Sequence, residues 1–283
     1  MIPSDIIAKK RNGEELKNRD LSWFLKEYLK DNITDAQMSA FLMAIYFNGL
    51  SDIELLALVN EMLNSGNILE FEKSELYVAD KHSTGGIGDK TSLILAPIMA
   101  AAGLRIPMIA GRSLEYTGGT IDKLESIPGI NISPPLNQFK SWVNNIGCAI
   151  ISQSKEICPA DKKLYSIRDL TGTIPSFPLI CSSIMSKKIA EGLDGLAMDI
   201  KVGNGAFMKT FQEAKNLGVE LKKIANSFNI DASITYSNMS QPLGKYAGLK
   251  CEIIEAVDCL KGSGPDDVTQ LSIDLCANIL VQS

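Results

Sequence analysis

The stretch Asp80-Lys81-His82-Ser83-Thr84-Gly85-Gly86-Ile87-Gly88-Asp89 follows directly on the apolar run Leu76-Tyr77-Val78-Ala79. The run reads as a short buried strand over residues 76–79, and the ten residues after it as the loop leaving its carboxyl end. Open α/β sheets bind their ligands at that position. Lys81 offers a cation, and Ser83 and Thr84 offer two hydroxyls. Gly85, Gly86 and Gly88 tolerate positive φ and let backbone N–H groups curl around an oxyanion. A helix expected over about 90–102 aims the positive end of its dipole at the same point. His82, the sole histidine of the chain, sits among these residues. The same glycines would serve a tight strand-to-helix connection, and a lone histidine a structural role, so this loop alone leaves both readings open.

A second loop shifts the balance. Ala110-Gly111-Arg112-Ser113-Leu114-Glu115-Tyr116-Thr117-Gly118-Gly119-Thr120-Ile121-Asp122-Lys123-Leu124-Glu125 follows another short apolar run, Ile106-Pro107-Met108-Ile109. Two successive strand–glycine loop–helix units would converge on one ligand.

These two loops, together with Pro159-Ala160-Asp161-Lys162-Lys163-Leu164-Tyr165 and Lys201-Val202-Gly203-Asn204-Gly205-Ala206-Phe207-Met208, resemble the thymidine phosphorylase and pyrimidine-nucleoside phosphorylase family. The resemblance runs in order from Ile7 to the last residue. Members of that family are longer, so the resemblance implies that a further part of the α/β lobe lies outside these 283 residues. The chain then reads as a fragment, a shortened form or one half of a split protein.

Composition sets the broad class. Hydrophobic content of 45%, charged content of 22% and a mean hydropathy near zero describe an ordinary globular protein. A net charge of −5 and no basic block argue against a nucleic-acid partner. The longest apolar stretch, residues 93–104, contains Pro97 and is too short to span a bilayer. The start, Met1-Ile2-Pro3-Ser4-Asp5, lacks the pattern of a signal peptide. Six scattered cysteines without metal-ligand spacing read as reduced residues of a cytoplasmic protein.

The first seventy residues read as helical. Thr34-Asp35-Ala36-Gln37 and Ser51-Asp52-Ile53-Glu54 both fit the capping box and place helix starts near Asp35 and Asp52, with Gly66 as a terminating glycine. Met38, Phe41, Leu42, Ala44, Ile45 and Phe47 make the helix between the boxes too apolar to face water. Strands are expected at 76–79, 106–110, 148–151, 195–201 and 232–236, alternating with helices, which implies a parallel sheet. Asn137 is placed as the cap of a helix over 138–146 ended by Gly147. Pro159 and Pro178 fit first helical positions, the second helix running to Gly192. Helices follow near 211–227, 252–261 and 266–281. The fold class is therefore α/β, with an all-helical lobe beside an α/β lobe whose sheet is mostly parallel. The resemblance implies lobes discontinuous in sequence, 1–65 with 160–193 and 66–159 with 194–283, a ligand cleft between them, and a homodimer formed through the helical lobe.

What the resemblance implies for chemistry is phosphorolysis of a pyrimidine nucleoside, inorganic phosphate being co-substrate and no organic cofactor being needed. Lys81, Ser83, Ser92 and Thr120 match phosphate-binding positions. Arg168, Ser183 and Lys187 match positions that contact the pyrimidine, and Ser183 and Lys187, four apart, share a helix face. Lys188 reads as solvated. Leu114, Ile174, Ile180 and Phe207 match the walls of the base pocket. His82 matches the general acid that meets the departing base, a role suited to imidazole near neutrality. Asp161 is a second candidate for steering protons, or the cap of its own helix. The sequence departs from the family at Ala110, where a serine is usual, and at Ser113, Glu115 and Tyr116, where glycine, glycine and histidine are. Family members that hold potassium use carbonyls matching Gly88, Lys90, Leu243 and Tyr246 and a carboxylate matching Glu255. Lys90 replaces a small residue there, and its ammonium either reaches Glu255 in place of the ion or faces solvent from the first helical turn. Two other readings stand beside this one: a non-catalytic relative that binds pyrimidine and phosphate or assembles with a partner, and an anthranilate-type phosphoribosyltransferase, which would need acidic ligands for Mg²⁺.

Overall fold

A computed structural model of the chain describes residues 1–71, 76–112 and 118–283. The chain divides into two units, Met1–Ile68 with Ser154–Ala190 and Leu69–Gln153 with Glu191–Ser283. The first unit opens with helices α1 (Pro3–Arg11), α2 (Asn18–Leu29), α3 (Asp35–Asn48) and α4 (Asp52–Leu63). Both capping boxes form: Thr34 and Ser51 accept from the N–H three residues on, and Gln37 and Glu54 reach back to the cap N–H. Along α3, Met38, Phe41, Leu42, Ala44 and Ile45 are buried, whereas Phe47 is 76% exposed. Phe24 and Phe41 pack with ring centroids 4.5 Å apart at the centre of this helical core. α4 ends earlier than Gly66, at Leu63 with Asn64 as its cap. Gly66 is instead needed where the chain passes a later segment, since a Cβ there would lie 2.4 Å from the Glu156 carbonyl.

The second unit begins with β1 (Ala79–Ser83), α5 (Thr91–Ala101), β2 (Ile106–Ala110), α6 (Thr120–Glu125), α7 (Leu136–Ile146) and β3 (Cys148–Ser152). α7 starts at Leu136 behind Pro135, not at Asn137, and Gly147 closes it with φ 94°. The chain then returns to the helical unit with α8 (Pro159–Thr171) and α9 (Phe177–Ala190), Pro178 standing second in α9. It ends in the α/β unit with β4 (Gly195–Val202), α10 (Phe211–Ser227), β5 (Asp231–Asn238), α11 (Leu249–Leu260) and α12 (Asp266–Gln282). All pairings between these strands are parallel, in two sheets ordered β1-β4-β5 and β2-β3.

The principal correction concerns β1. The strand occupies Ala79–Ser83, so Asp80, Lys81, His82 and Ser83 are sheet residues and the loop begins after them. Pairing with β4 explains the shift: residues 79–83 run in parallel register with 195–199, so the backbone of this polar stretch is completed by β4, and Ser83 stands opposite Asp199. Lys90 likewise caps α5 rather than belonging to its first turn.

One buried ion pair joins the start of the helical unit to α4. Lys10 Nζ donates at 2.8 Å to both oxygens of Glu54, which also accepts from Leu16 N and Ser51 N, each at 2.8 Å. Both side chains are buried. Lys10→Met leaves that carboxylate without its cation, and a loss of about 3 kcal/mol or more is expected in chemical denaturation.

Candidate functional site

Alternation along parallel strands gathers one polar face in the α/β unit. Lys81 and Ser83 of β1 and Asp199 and Lys201 of β4 point the same way, while Asp80 and His82 point the other. The Lys81 ammonium, fully buried, donates to Thr91 Oγ1 and lies 3.5 Å from Ser92 Oγ, 3.7 Å from Asp89 and 4.0 Å from Asp199. Lys201 pairs with Asp199, whose other oxygen accepts from Ser237 Oγ of β5. Burial pushes Lys81 below the usual lysine range against the pull of Asp89 and Asp199. Burial also opposes the charge of Lys201, but Asp89 and Asp199 outweigh it and raise that group.

Two further buried lysines fasten the glycine loops to α11. Lys90 Nζ donates to the Leu243 carbonyl at 3.1 Å, to the Tyr246 carbonyl at 2.9 Å and to Glu255 Oε2. Gly88, at φ 78°, approaches so closely that a Cβ would stand 2.5 Å from the Leu243 carbonyl oxygen. The residues set out for potassium therefore do not fit a metal ion here, because an ammonium already holds Leu243, Tyr246 and Glu255 together. One turn earlier on α11, Glu252 meets Lys123 of α6 at 2.8 Å, and the Lys123 ammonium also donates to the Asp89 carbonyl. Thr120 opens α6 and is half-buried beside Gly119, whose N–H donates to Asp122 at 3.1 Å.

The helical unit carries its own polar group. Lys187 Nζ donates to Asp161 Oδ2 at 2.6 Å and to Ser183 Oγ at 2.9 Å. Asp161 thus pairs with α9 and does not cap α8, whose cap residue, Cys158, makes no side-chain cap bond. Arg168 donates to the carbonyls of Ile174 at 2.7 Å and Leu179 at 3.0 Å, which fixes the turn between α8 and α9. Its guanidinium carbon lies 5.6 Å from the Tyr165 ring centroid. Asp161 Oδ1, the Tyr165 hydroxyl and Arg168 Nε are buried with no hydrogen-bond partner. Buried polar atoms left so are where a ligand or water completes the set. Lys188 is buried, contrary to its expected solvation.

The structure brings Lys81, Ser83 and Ser92 together in one unit and Arg168, Ser183 and Lys187 in the other. His82 is half-buried opposite Met198. Ile180 and Phe207 are half-buried, in the helical and α/β units respectively, and Ala110 ends β2. Leu114, Ser113, Glu115 and Tyr116 lie outside the described residues. Asp89, Thr91, Lys123, Asp199, Lys201 and Glu252 were not singled out by sequence. The one signal was Asp199-x-Lys201 inside an otherwise apolar strand. Among the described residues, no cluster of three or more His, Cys, Asp or Glu side chains is arranged to hold a metal. No helix among them is long and apolar enough to cross a membrane.

Lys90→Met removes the cation from a carboxylate that is only 2% exposed. A loss of about 3 kcal/mol or more is expected in denaturant unfolding.

The fold resembles a crystal structure of anthranilate phosphoribosyltransferase from Thermus thermophilus, with a TM-score of 0.71 at 15% identity over 96% of this chain and 87% of the other. In sequence the chain is 47% identical over 277 residues to a pyrimidine-nucleoside phosphorylase of Staphylococcus haemolyticus, and 44% identical over 284 residues to a thymidine phosphorylase of Agrobacterium fabrum. These alignments cover 98% and 100% of this chain but 64% and 65% of the relatives, so the chain spans about two thirds of their length or slightly less. Residues 4–66 match the helical bundle domain of the glycosyl transferase family and residues 75–282 its a/b domain, and the chain belongs to that family.

Proposed function

We propose that this chain carries the phosphate-binding and pyrimidine-binding residues for reversible phosphorolysis of a pyrimidine nucleoside, releasing free base and a pentose 1-phosphate. The observation that carries this reading is the near-complete match of the chain to relatives named pyrimidine-nucleoside phosphorylase and thymidine phosphorylase. Lys81, Ser83, Ser92 and Thr120 are assigned to phosphate. Arg168, Ser183 and Lys187 are assigned to the base, and the unsatisfied atoms of Asp161, Tyr165 and Arg168 support a polar ligand beside them.

Phosphate attacks C1′ from one side while the base leaves from the other, with positive charge developing on the sugar and negative charge on the base. Lys81 and Ser83 face one way from β1 and His82 the other. His82 would donate a hydrogen bond or a proton to the departing base, and the Lys187 ammonium would favour its negative charge. The exposed Tyr46, Phe47 and Ile53 support the helical unit as a face for a second copy of the chain. A cytoplasmic location belongs to the same reading.

The test is release of free base from thymidine and from uridine with inorganic phosphate present. Turnover of either is expected. His82→Ala should lower kcat by about 100-fold or more while binding of the nucleoside changes little. Absence of turnover with retained binding of base and phosphate would favour the non-catalytic reading.

Potassium supplies a separate check. With the Lys90 ammonium seated on Leu243, Tyr246 and Glu255, activity should be the same in potassium and in a bulky organic cation. Lys90→Thr should make activity depend on potassium, and stability measured with and without the ion should follow the same order.

A further inference from the structure

On the polar face of the α/β unit the hydroxyl donors already converge on one carboxylate. Ser83 Oγ donates to Asp89 Oδ2 and in turn accepts from Gly85 N at 3.1 Å. Thr91 donates to Asp89 Oδ1 from Oγ1 at 2.7 Å and from its N–H at 3.3 Å, while its Oγ1 accepts from Lys81. Lys81 and Lys201 lie 3.7 and 4.0 Å from Asp89, whose side chain is 8% exposed. Both Asp89 oxygens accept hydroxyl hydrogen bonds, and two ammonium groups stand within 4.0 Å of Oδ2. Asp89 is therefore an acceptor between Lys81 and Ser83, two of the donors assigned to phosphate.

Charge alone does not make this face attractive to an anion. Two ammonium groups, Lys81 and Lys201, stand against two carboxylates, Asp89 and Asp199, and their sum is zero. Each hydroxyl has one hydrogen, and those of Ser83 and Thr91 are committed to Asp89. An oxyanion without a proton competes with Asp89 for them and sets two acceptors of like charge face to face. An oxyanion that bears a proton can donate it as a hydrogen bond to Asp89. Ser83 is then released to turn its hydrogen to another oxygen of the ligand, and the number of hydrogen bonds is preserved.

We propose that Asp89 is the specificity-determining residue of this anion site, accepting the hydrogen-bearing oxygen of phosphate and so selecting protic oxyanions over aprotic ones of similar size. The inference rests on the assignment of Lys81 and Ser83 to phosphate. It extends that assignment by naming what the site rejects and which residue rejects it.

Titration calorimetry of the chain near neutral pH with phosphate, arsenate, sulfate and selenate tests it. Phosphate and arsenate each carry at least one proton there; sulfate and selenate carry none. The first pair should bind at least about tenfold more tightly than the second. In Asp89→Asn the gap should close, chiefly because sulfate and selenate bind more tightly. Equal affinity for phosphate and sulfate in the unaltered chain overturns the role of Asp89, as does an unchanged gap in a folded Asp89→Asn. If that variant does not fold, the four-anion series on the unaltered chain decides alone. Lys81→Met should weaken all four anions together. If it does not, or if none of the four binds the unaltered chain, the phosphate assignment itself falls and the inference with it.

Discussion

Burial of alternating charge on one sheet face is the constraint on which the α/β unit depends. Lys81, Asp89, Asp199 and Lys201 are all withdrawn from water, and each would be strongly unfavourable there by itself. An isolated ion in a low-dielectric interior costs several kcal/mol, so such a set persists only when signs alternate and lone pairs are filled. The signs alternate, Ser237 donates to one oxygen of Asp199 while the other pairs with Lys201, and Ser83 and Thr91 donate to Asp89. The strand that supplies Lys81 must then run on through polar residues, because only regular pairing with β4 holds Lys81 and Ser83 in line with Asp199 and Lys201.

The same logic fixes the loops. Two carboxylates three residues apart on α11, Glu252 and Glu255, are buried and face lysines from two different segments. Lys123 ties the helix after the second glycine loop to the Asp89 carbonyl in the first, and Lys90 ties the end of the first loop to residues 243 and 246. A rigid helix thereby sets the register of both loops. An ammonium differs from a metal ion in bringing its own covalent tether, so Lys90 fixes the loop without any dependence on ion concentration. The tether also narrows the site chemically, since a four-carbon chain fixes the distance between the cap of α5 and Glu255.

Local signals in the sequence were legible wherever the physics is local. Both capping boxes mark helix starts to the residue, and α10 runs over 211–227 as its pattern implies. The parallel alternation was readable from apolar runs separated by helical periods. What failed was set by partners distant in the chain. The expected strand 76–79 starts three residues before β1 because Asp80-Lys81-His82-Ser83 looks like loop until β4 stands beside it. Lys188 reads as solvated because its burial follows from helix packing and not from its neighbours in sequence. Asp161 looks like a cap, since it lies in a first helical turn, yet its partner is 26 residues away on α9. The glycine loops stand out in the sequence, and the residue sets proposed for each ligand come through the family resemblance; Asp89, at the end of the first loop, is visible as a residue but not as a centre.

The donors assigned to the two candidate ligands stand in different states. In the helical unit, Asp161, Tyr165 and Arg168 each keep a buried atom without a partner, so a polar ring placed there supplies bonds the protein lacks. Leaving a buried polar atom unpaired costs about 1–3 kcal/mol, and a ligand that fills such a position recovers part of that directly. In the α/β unit, the hydroxyls of Ser83 and Thr91 already donate to Asp89, so an anion at that face would bind by exchange and gain only the difference between two partners. A site of the first kind favours affinity. A site of the second kind favours discrimination, because a ligand unable to replace every bond that it breaks is left with an unpaired charge in a buried place.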